Sequence, residues 1–162
     1  MAEPEQASRI YIFDSSAWIA ADSDPRSNVI LNLLERLREQ GQICSPREVF
    51  AELVRAGVYS AWAKQNRRNI GYPRRMNADY AANAGLVQHQ FPGMGGALSP
   101  KNRADPWVVA VALTEIAAGR DCCVVTTETA DRRPNRKIKG VCASLGIPCL
   151  TIDELVEISN GW

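Results

Sequence analysis

Histidine is nearly absent from this sequence, and its cysteines are not arranged to bind a metal. With His89 as its one histidine, the sequence nearly excludes histidine-based catalytic triads and multi-histidine metal sites. None of the five cysteines stands in a CxxC pair or at a Cys/His ligand spacing. We therefore expect His89 on a helix surface and the cysteines as small buried residues in a reducing compartment.

Long apolar runs are also missing. No stretch approaches the roughly 20 apolar residues of a membrane-spanning helix. The first residues, MAEPEQASR, lack the basic and then apolar layout of a secretory signal, which predicts a soluble, cytoplasmic protein. A length of 162 residues with 46% apolar side chains fits a single domain, 1–162.

Nucleotide-binding glycine motifs are absent as well. The sequence contains neither GxGxxG nor GxxxxGK[ST], and its glycine-rich stretch, Phe91 to Arg103, does not follow a predicted strand. We interpret that stretch as a surface loop.

The pattern that is present alternates short apolar strands with helices. Fully apolar runs predict buried strands at Ile10 to Phe13 and Asp121 to Thr127, with further short strands at Gln42 to Cys44 and Pro148 to Thr151. Helical patterns cover Arg26 to Gln40, Pro46 to about Gln65, Ala78 to His89, Pro106 to Ala118, Ile138 to Leu145 and Asp153 to Ser159. This alternation predicts an α/β fold with a parallel sheet and right-handed crossovers.

Charge is balanced overall but unevenly distributed. The segment Asn66 to Arg75 has four arginines and no acid, and Asp131 to Lys139 has five basic residues and one acid. Such runs are usually solvated faces. Two basic loops beside an acidic site would also suit a polyanion.

Two acids follow predicted buried strands, at the sheet edge where parallel α/β folds collect ligands. Asp14 ends the first strand, where it is equally suited to cap a helix that starts at SSAWIAAD. Glu128 ends VVTTE and is otherwise an ordinary loop acid.

Two further acids lie near predicted helix starts. Ser45, Pro46 and Glu48 form a predicted capping box, which leaves Glu52 unexplained except as a salt-bridge partner of a nearby arginine. Asp105 before Pro106 has the pattern of a helix cap, although a capping carboxylate can still bind a cation.

Together these four acids would meet at one rim of the sheet. Closely spaced carboxylates disfavour mutual ionisation, and a divalent cation relieves that repulsion. Without histidine or thiolate ligands, the expected ion is Mg²⁺ or Mn²⁺ rather than zinc.

The pieces YIFDSSAWI, ICSPREVFAEL, ADPWVVAVAL and VVTTE, in that order, resemble a PIN domain, the fold of many metal-dependent ribonucleases, including VapC-like toxins. With the closing GVCASLGIPCLTIDELV, the sequence is most similar to an uncharacterised PIN-like branch. The resemblance implies a three-layer α/β/α fold with a central parallel sheet of four to five strands. It also implies hydrolysis of RNA by a toxin that pairs with an antitoxin and commonly forms a homodimer.

Carried over by position, the resemblance places the catalytic and metal-binding acids at Asp14, Glu52, Asp105 and Glu128, with Asp131 as an alternative to Glu128. Ser16 and Thr126 match polar positions of the family site, although Ser16 stands where many members have asparagine. Basic residues expected to steer phosphates are Arg67, Arg68, Arg74, Arg75, Lys101 and Arg103.

Three other interpretations bear on the same residues. Tyr72 could stack a base, and three tryptophans (Trp18, Trp62, Trp107) would pack either in the core or against an antitoxin. A haloacid-dehalogenase-like phosphatase would need a second acid where Ser16 stands. The open alternative is a non-catalytic PIN-like module that binds RNA or protein and uses its acids as helix caps.

Overall fold

Short buried strands build one parallel sheet at the centre of the protein. The computed structural model describes residues 9–53, 57–94, 104–127 and 137–162. Within them the strands are β1 (Ile10–Phe13), β2 (Ile43–Pro46), β3 (Gly71–Tyr72), β4 (Cys122–Val125) and β5 (Cys149–Leu150). They pair in the order β3-β2-β1-β4-β5, and all pairs are parallel.

Helices connect the strands and follow the last one. Between β1 and β2 lie α1 (Ser15–Asp22) and α2 (Ser27–Glu39). Between β2 and β3 lie α3 (Arg47–Glu52), α4 (Val58–Gln65) and α5 (Arg67–Ile70). The remaining helices are α6 (Ala78–Gln90), α7 (Asp105–Ala117), α8 (Ile138–Leu145) and α9 (Ile152–Ser159).

The helices cover both faces of the sheet. Right-handed crossovers put α1 to α5 on one face and α6 to α8 on the other. The contacts agree with this division, because α1 touches α3, α4 and α9, whereas α7 touches α6 and α8. The predicted three-layer α/β/α fold with a parallel sheet is confirmed.

The strand order reverses at β1, which pairs with β2 on one side and with β4 on the other. Crossovers that leave neighbouring strands toward opposite faces open a crevice at the carboxyl ends of those strands. Phe13 and Val125, the last residues of β1 and β4, are partners in the register. The residues that follow them, Asp14 and Thr126, therefore lie side by side at this crevice.

The predicted capping box at Ser45 is wrong. Ser45 is 0% exposed and belongs to β2, and its hydroxyl donates to the Phe13 carbonyl at 2.7 Å and accepts from the Trp18 indole Nε1 at 3.0 Å. Pro46 is the N-cap of α3 and provides no side-chain bond. The Ser45 hydroxyl is thus engaged by β1 and α1 rather than by its own helix.

The predicted helix from Pro46 to about Gln65 is two helices. α3 ends after Glu52, and α4 begins at Val58 with Gly57 as its N-cap. The start of α4 is fixed by Asp22 of α1, whose carboxylate accepts hydrogen bonds from the amides of Tyr59 and Ser60 at 2.6 and 3.1 Å.

Two short elements, α5 and β3, were absent from the sequence prediction. They meet at Gly71, where an added Cβ would lie only 2.4 Å from the Arg67 carbonyl oxygen. A close backbone approach of this kind requires glycine, and it lets the chain turn directly from α5 into the edge strand. No helix within the described ranges is long and apolar enough to cross a membrane.

Candidate functional site

Asp14 is the most buried of the predicted site acids that the structure describes. It is 2% exposed and forms the N-cap of α1, accepting from the Ala17 amide at 2.8 Å through Oδ1. The Ser16 hydroxyl donates to the same oxygen at 2.7 Å, and the Thr126 hydroxyl donates to Oδ2. The cap and site interpretations of Asp14 are therefore compatible, because the cap uses one oxygen and Thr126, the residue after β4, contacts the other.

The electrostatics of Asp14 favour its neutral form. Burial raises the pKa of its carboxyl, and the hydrogen bonds from Thr126, Ser16 and Ala17 offset that rise only in part. The negative charge of Glu52 raises the pKa further. Among the described residues, no positive charge contributes to lowering the pKa of this buried acid.

Glu52 bridges two elements of the site. Its Oε2 accepts from the Ser15 hydroxyl at 2.8 Å, and its Oε1 accepts from the Ala104 backbone amide at 2.6 Å. Ser15 is the first residue of α1, and Ala104 is the N-cap of α7. One carboxylate therefore ties the residue after Asp14 to the residue before Asp105.

Asp105 begins α7, but it is not the cap predicted from the sequence. Ala104 occupies the N-cap position without a side-chain bond, so that Asp105 and Pro106 fall on the first two helical residues. The Asp105 side chain is buried at 7% exposure. An acid in the first turn of a helix is favoured by the helix dipole.

These contacts bring Asp14, Glu52 and Asp105 to one region beyond the carboxyl ends of β1 and β4. Ser16 and Thr126 complete it: their hydroxyl oxygens are 3.2 Å apart, and Ser16 also accepts from the Thr127 amide at 3.1 Å. Sequence reasoning missed Ser15, since nothing in its neighbourhood indicates a bond to Glu52. Its only signal was its place beside Asp14.

The chemistry of this region suits a hard cation only in part. Its donors are carboxylate and hydroxyl oxygens, the ligands that Mg²⁺ and Mn²⁺ prefer. Within the described part of the chain, however, no three His, Cys, Asp or Glu side chains are grouped closely enough to hold a metal. The predicted fourth acid, Glu128, lies outside the described residues, as do Asp131, Lys101 and Arg103.

The predicted phosphate-steering arginines divide between two cavities. Arg67, Arg68 and Arg74 line a cavity of about 520 Å³ together with Arg47 of α3. Arg75 lines a separate cavity of about 490 Å³, to which Arg74 also contributes. Sequence reasoning did not include Arg47, which is distant in sequence from the basic run.

The aromatic candidates are mainly packed inside. Trp18 is fully buried, Trp62 is nearly so, and Trp107 packs edge-on against Tyr80. The hydroxyl of the half-buried Tyr72 donates to Glu115 at 2.9 Å. For the tryptophans, core packing is therefore the interpretation that the contacts favour.

The cysteines behave as the sequence predicts. Four of the five are buried, and only Cys149 is partly exposed. Burial raises the pKa of the Cys122 thiol to about 11 and that of Cys123 to about 12, so both stay neutral thiols at physiological pH. The Cys142 thiol lies in hydrogen-bond contact with Cys149.

The fold has a counterpart among solved structures. The chain is similar to a chain of VapBC-1 from nontypeable Haemophilus influenzae, with a TM-score of 0.51 and 15% identity. The match covers 88% of this chain and 97% of the other. At this identity the likeness concerns the fold, and it agrees with the PIN-like architecture predicted from the sequence.

The sequence itself matches one family model over nearly its whole length. No curated protein matches the chain. The model for a domain of unknown function, DUF4411, matches residues 11–160. The matched range begins within β1 and ends just after α9, so it includes every described residue of the candidate site. The chain therefore belongs to the DUF4411 family.

Proposed function

We propose that this protein is a Mg²⁺- or Mn²⁺-dependent endoribonuclease and the toxin of a toxin-antitoxin pair. The observation that carries the proposal is the linkage of Asp14, Glu52 and the start of the Asp105 helix at the strand-order reversal. The resemblance to PIN domains and the fold shared with VapBC-1 support the same function. The partners would be an RNA substrate, a cognate antitoxin and a second copy of the chain.

Each acid has a proposed role that follows from its position. We assign Asp14 and Asp105, both buried, as the central metal ligands, and Glu52 as a further ligand that would have to move closer on metal binding, because the three carboxylates are not grouped closely enough in this structure. The oxygens of Glu52 already accept bonds from Ser15 and Ala104, but a carboxylate oxygen has lone pairs for a second interaction. Glu128 would complete the set as an outer ligand or would orient a water.

A bound dication would lower the pKa of the attacking water and stabilise the charge that develops on the phosphate and on the leaving 3′-oxygen. The protein's own contribution is to fix the carboxylates beforehand. Hydrogen bonds from Ser16 and Thr126 hold the orientation of the Asp14 carboxylate, and a hydrogen bond from Ser15 holds that of Glu52. The cleaved RNA would carry 5′-phosphate and 3′-hydroxyl ends.

The alternative function is a non-catalytic module that binds RNA or protein. One observation favours it: each oxygen of Asp14 and Glu52 already has a hydrogen-bond donor within the fold. In this alternative the acids only hold helices in place, and they need no metal. The two functions predict different effects of removing the Asp14 charge: the nuclease would lose RNA cleavage, and the binding module would be unchanged.

The test is cleavage of total RNA by the purified protein with Mg²⁺, Mn²⁺ or a chelator, followed by mapping of the fragment ends. Asp14→Asn keeps an oxygen for the Ala17 amide and Ser16 hydroxyl, and its amide group can face Thr126. We expect wild type to cleave with either metal, and the variant to lose at least about a hundredfold in rate, as losing a metal or transition-state contact does.

The matched control is Asp79→Asn, which neutralises an exposed acid in the first turn of α6. It should cleave as wild type does. Expression of wild type should arrest growth, and expression of Asp14→Asn should not. If Asp14→Asn retains cleavage and growth arrest, or if wild type cleaves no RNA with either metal, the nuclease proposal fails.

A further inference from the structure

A groove beside α3 collects positive charge from three separate parts of the chain. Arg47 comes from α3, Arg67 and Arg68 from α5, and Arg74 follows β3. Phe50, Gly71 and Pro73 supply the rest of the described lining, which contains no acid. We call this the arginine groove.

The charges of the arginine groove have no ion-pair partner in the part of the chain that the structure describes. Among the described residues, ion pairs form at Arg9, Arg26, Arg38 and Arg120, but none forms at these four arginines. Arg74 donates to the Asn69 carbonyl at 2.7 Å and Arg47 to the Pro73 carbonyl at 3.5 Å, contacts that orient the side chains without neutralising them. An anion in the groove would relieve the repulsion between four exposed guanidinium groups.

The arginine groove is next to the candidate site because α3 belongs to both. Arg47 and Phe50 of α3 line the groove, and Glu52 at the end of the same helix contacts Ser15 and Ala104. Arg47 also directly follows β2, Asp14 directly follows β1, and these two strands pair, so the groove and the candidate site share the carboxyl-end edge of the sheet. A polyanion in the groove would therefore extend naturally toward the carboxylates.

We propose that the arginine groove binds the backbone phosphates of single-stranded RNA beside the cleavage site. The choice of RNA rests on the proposed function. The inference adds two residues that the sequence did not indicate, Arg47 as a phosphate contact and Phe50 as an apolar wall for a base.

A single strand fits the groove better than a duplex or an acidic peptide does. Unstacked nucleotides present a phosphate and an aromatic face together, and this groove offers guanidinium groups beside the half-buried ring of Phe50. A duplex is contacted mainly through its outer shape and buries its base faces. An acidic peptide would use the arginines but would leave the aromatic wall without a stacking partner.

The test is the equilibrium binding of a fluorescently labelled RNA octamer, measured in chelator so that no cleavage occurs, over a series of salt concentrations. Removal of one phosphate contact should reduce the slope of log affinity against log salt by about 0.7 for a single strand. We expect Arg47→Ala and Arg68→Ala each to show this change, with affinity reduced by about threefold or more at moderate salt. Phe50→Leu should weaken binding at an unchanged slope, because it removes stacking but no charge.

The matched control is Arg9→Ala, which removes one partly exposed positive charge at the amino end of β1, the edge of the sheet opposite the candidate site. It should bind as wild type does. Circular dichroism and thermal unfolding of each variant separate lost binding from lost folding. A duplex of the same sequence and a poly-glutamate peptide serve as competitors, and both should compete poorly.

Unchanged binding by folded Arg47→Ala and Arg68→Ala overturns the inference, as does stronger binding of the duplex or the peptide. Failure of the proposed function looks different. In that case Asp14→Asn would cleave as wild type does or no cleavage would occur, while RNA binding would still depend on the arginines.

Discussion

Asp14 combines two demands that conflict energetically. It caps α1 through the Ala17 amide, which stabilises the helix, and it keeps a carboxylate almost out of water, which is costly unless a cation is present. A neutral amide would meet the first demand without the second cost. The acid at this position therefore has a measurable consequence for stability.

We predict that Asp14→Asn stabilises the metal-free protein at neutral and alkaline pH. The pKa of Asp14 is raised in the folded state, mainly by burial, so ionisation favours the unfolded chain. The loss of stability caused by ionising Asp14 is complete at pH values above its pKa in the folded state. It disappears as the pH falls below the pKa of the same carboxyl in the unfolded chain. The unfolding temperature of the variant should therefore exceed that of wild type at pH 8 in chelator, and the gap should close toward pH 4.

Asp79→Asn, the exposed control in the first turn of α6, should not be more stable than wild type at pH 8, because it removes a charge that the helix dipole favours. If Asp14→Asn is less stable than wild type at pH 8, the carboxylate contributes net stabilisation, and the conflict described for it does not exist.

The residues of the site were predictable to different degrees. Asp14, Glu52 and Asp105 could be selected because each acid stands where a strand or helix meets the sheet edge. The hydrogen bonds that join these acids could not be predicted. Nothing in the sequence marks Ser15 or the Ala104 amide as part of a site, and they become so only because α3 places the Glu52 carboxylate between them. Whether the acids bind a metal stays a prediction.

At the scale of elements, the junction of α1 and α4 shows how one helix fixes the start of another. The Asp22 carboxylate accepts from the Tyr59 and Ser60 amides and from the Ser60 hydroxyl. Gly57 lies against this carboxylate, and a Cβ placed there would be 2.0 Å from the Asp22 Cγ. The pair explains why the chain starts a new helix here instead of continuing α3.

We predict that Gly57→Ala and Asp22→Ala each destabilise the protein, and that their effects are not additive. The backbone of Gly57 is extended, which alanine adopts readily, so the cost of Gly57→Ala comes from the clash with Asp22. Asp22→Ala should cost about 1–3 kcal/mol, because two helix-terminal amides lose their acceptor. The free energy of unfolding is measured by urea denaturation.

In the Asp22→Ala background, Gly57→Ala should cost much less than in wild type, because the carboxylate that it would strike is gone. A double-mutant cycle measures this coupling. Costs that simply add would mean that Gly57 is required for some reason other than the approach of Asp22.

The sequence predicts an element well when the residues that determine it lie within the element itself. The buried strands β1 and β4 and the helices α2, α6 and α8 carry their own signals in apolar runs and periodicity. Asp22, which lies in a different helix, fixes the start of α4. The local sequence pattern does not include this contact, and it therefore predicts a single continuous helix across α3 and α4. β3 is two residues long and, among the described strands, pairs with β2 alone, so its sequence is too short to show a strand pattern.

At the scale of the whole molecule, the parallel sheet brings together residues that are distant in sequence. β1 and β4 are neighbours in the sheet although more than a hundred residues separate them in sequence. This pairing places the Thr126 hydroxyl in hydrogen-bond contact with the Asp14 carboxylate. α3 and α7 both begin near the same edge and add Glu52 and Asp105. The alternation of strands and helices was enough to predict this convergence, because carboxyl ends of parallel strands share one edge. The arginine groove was only half predictable, since Arg47 joins the basic run through folding alone.

The most direct measurement of the central claim, that these acids together form a dication site, is a calorimetric titration of Mn²⁺ into metal-free protein. The titration compares wild type with Asp14→Asn, Asp105→Asn and the exposed control Asp79→Asn. We predict saturable binding by wild type and by the control, and affinity reduced at least about tenfold in both site variants, as expected when a ligand or its support is lost. A wild-type protein that binds no Mn²⁺, or site variants that bind it as tightly as wild type, would contradict the claim.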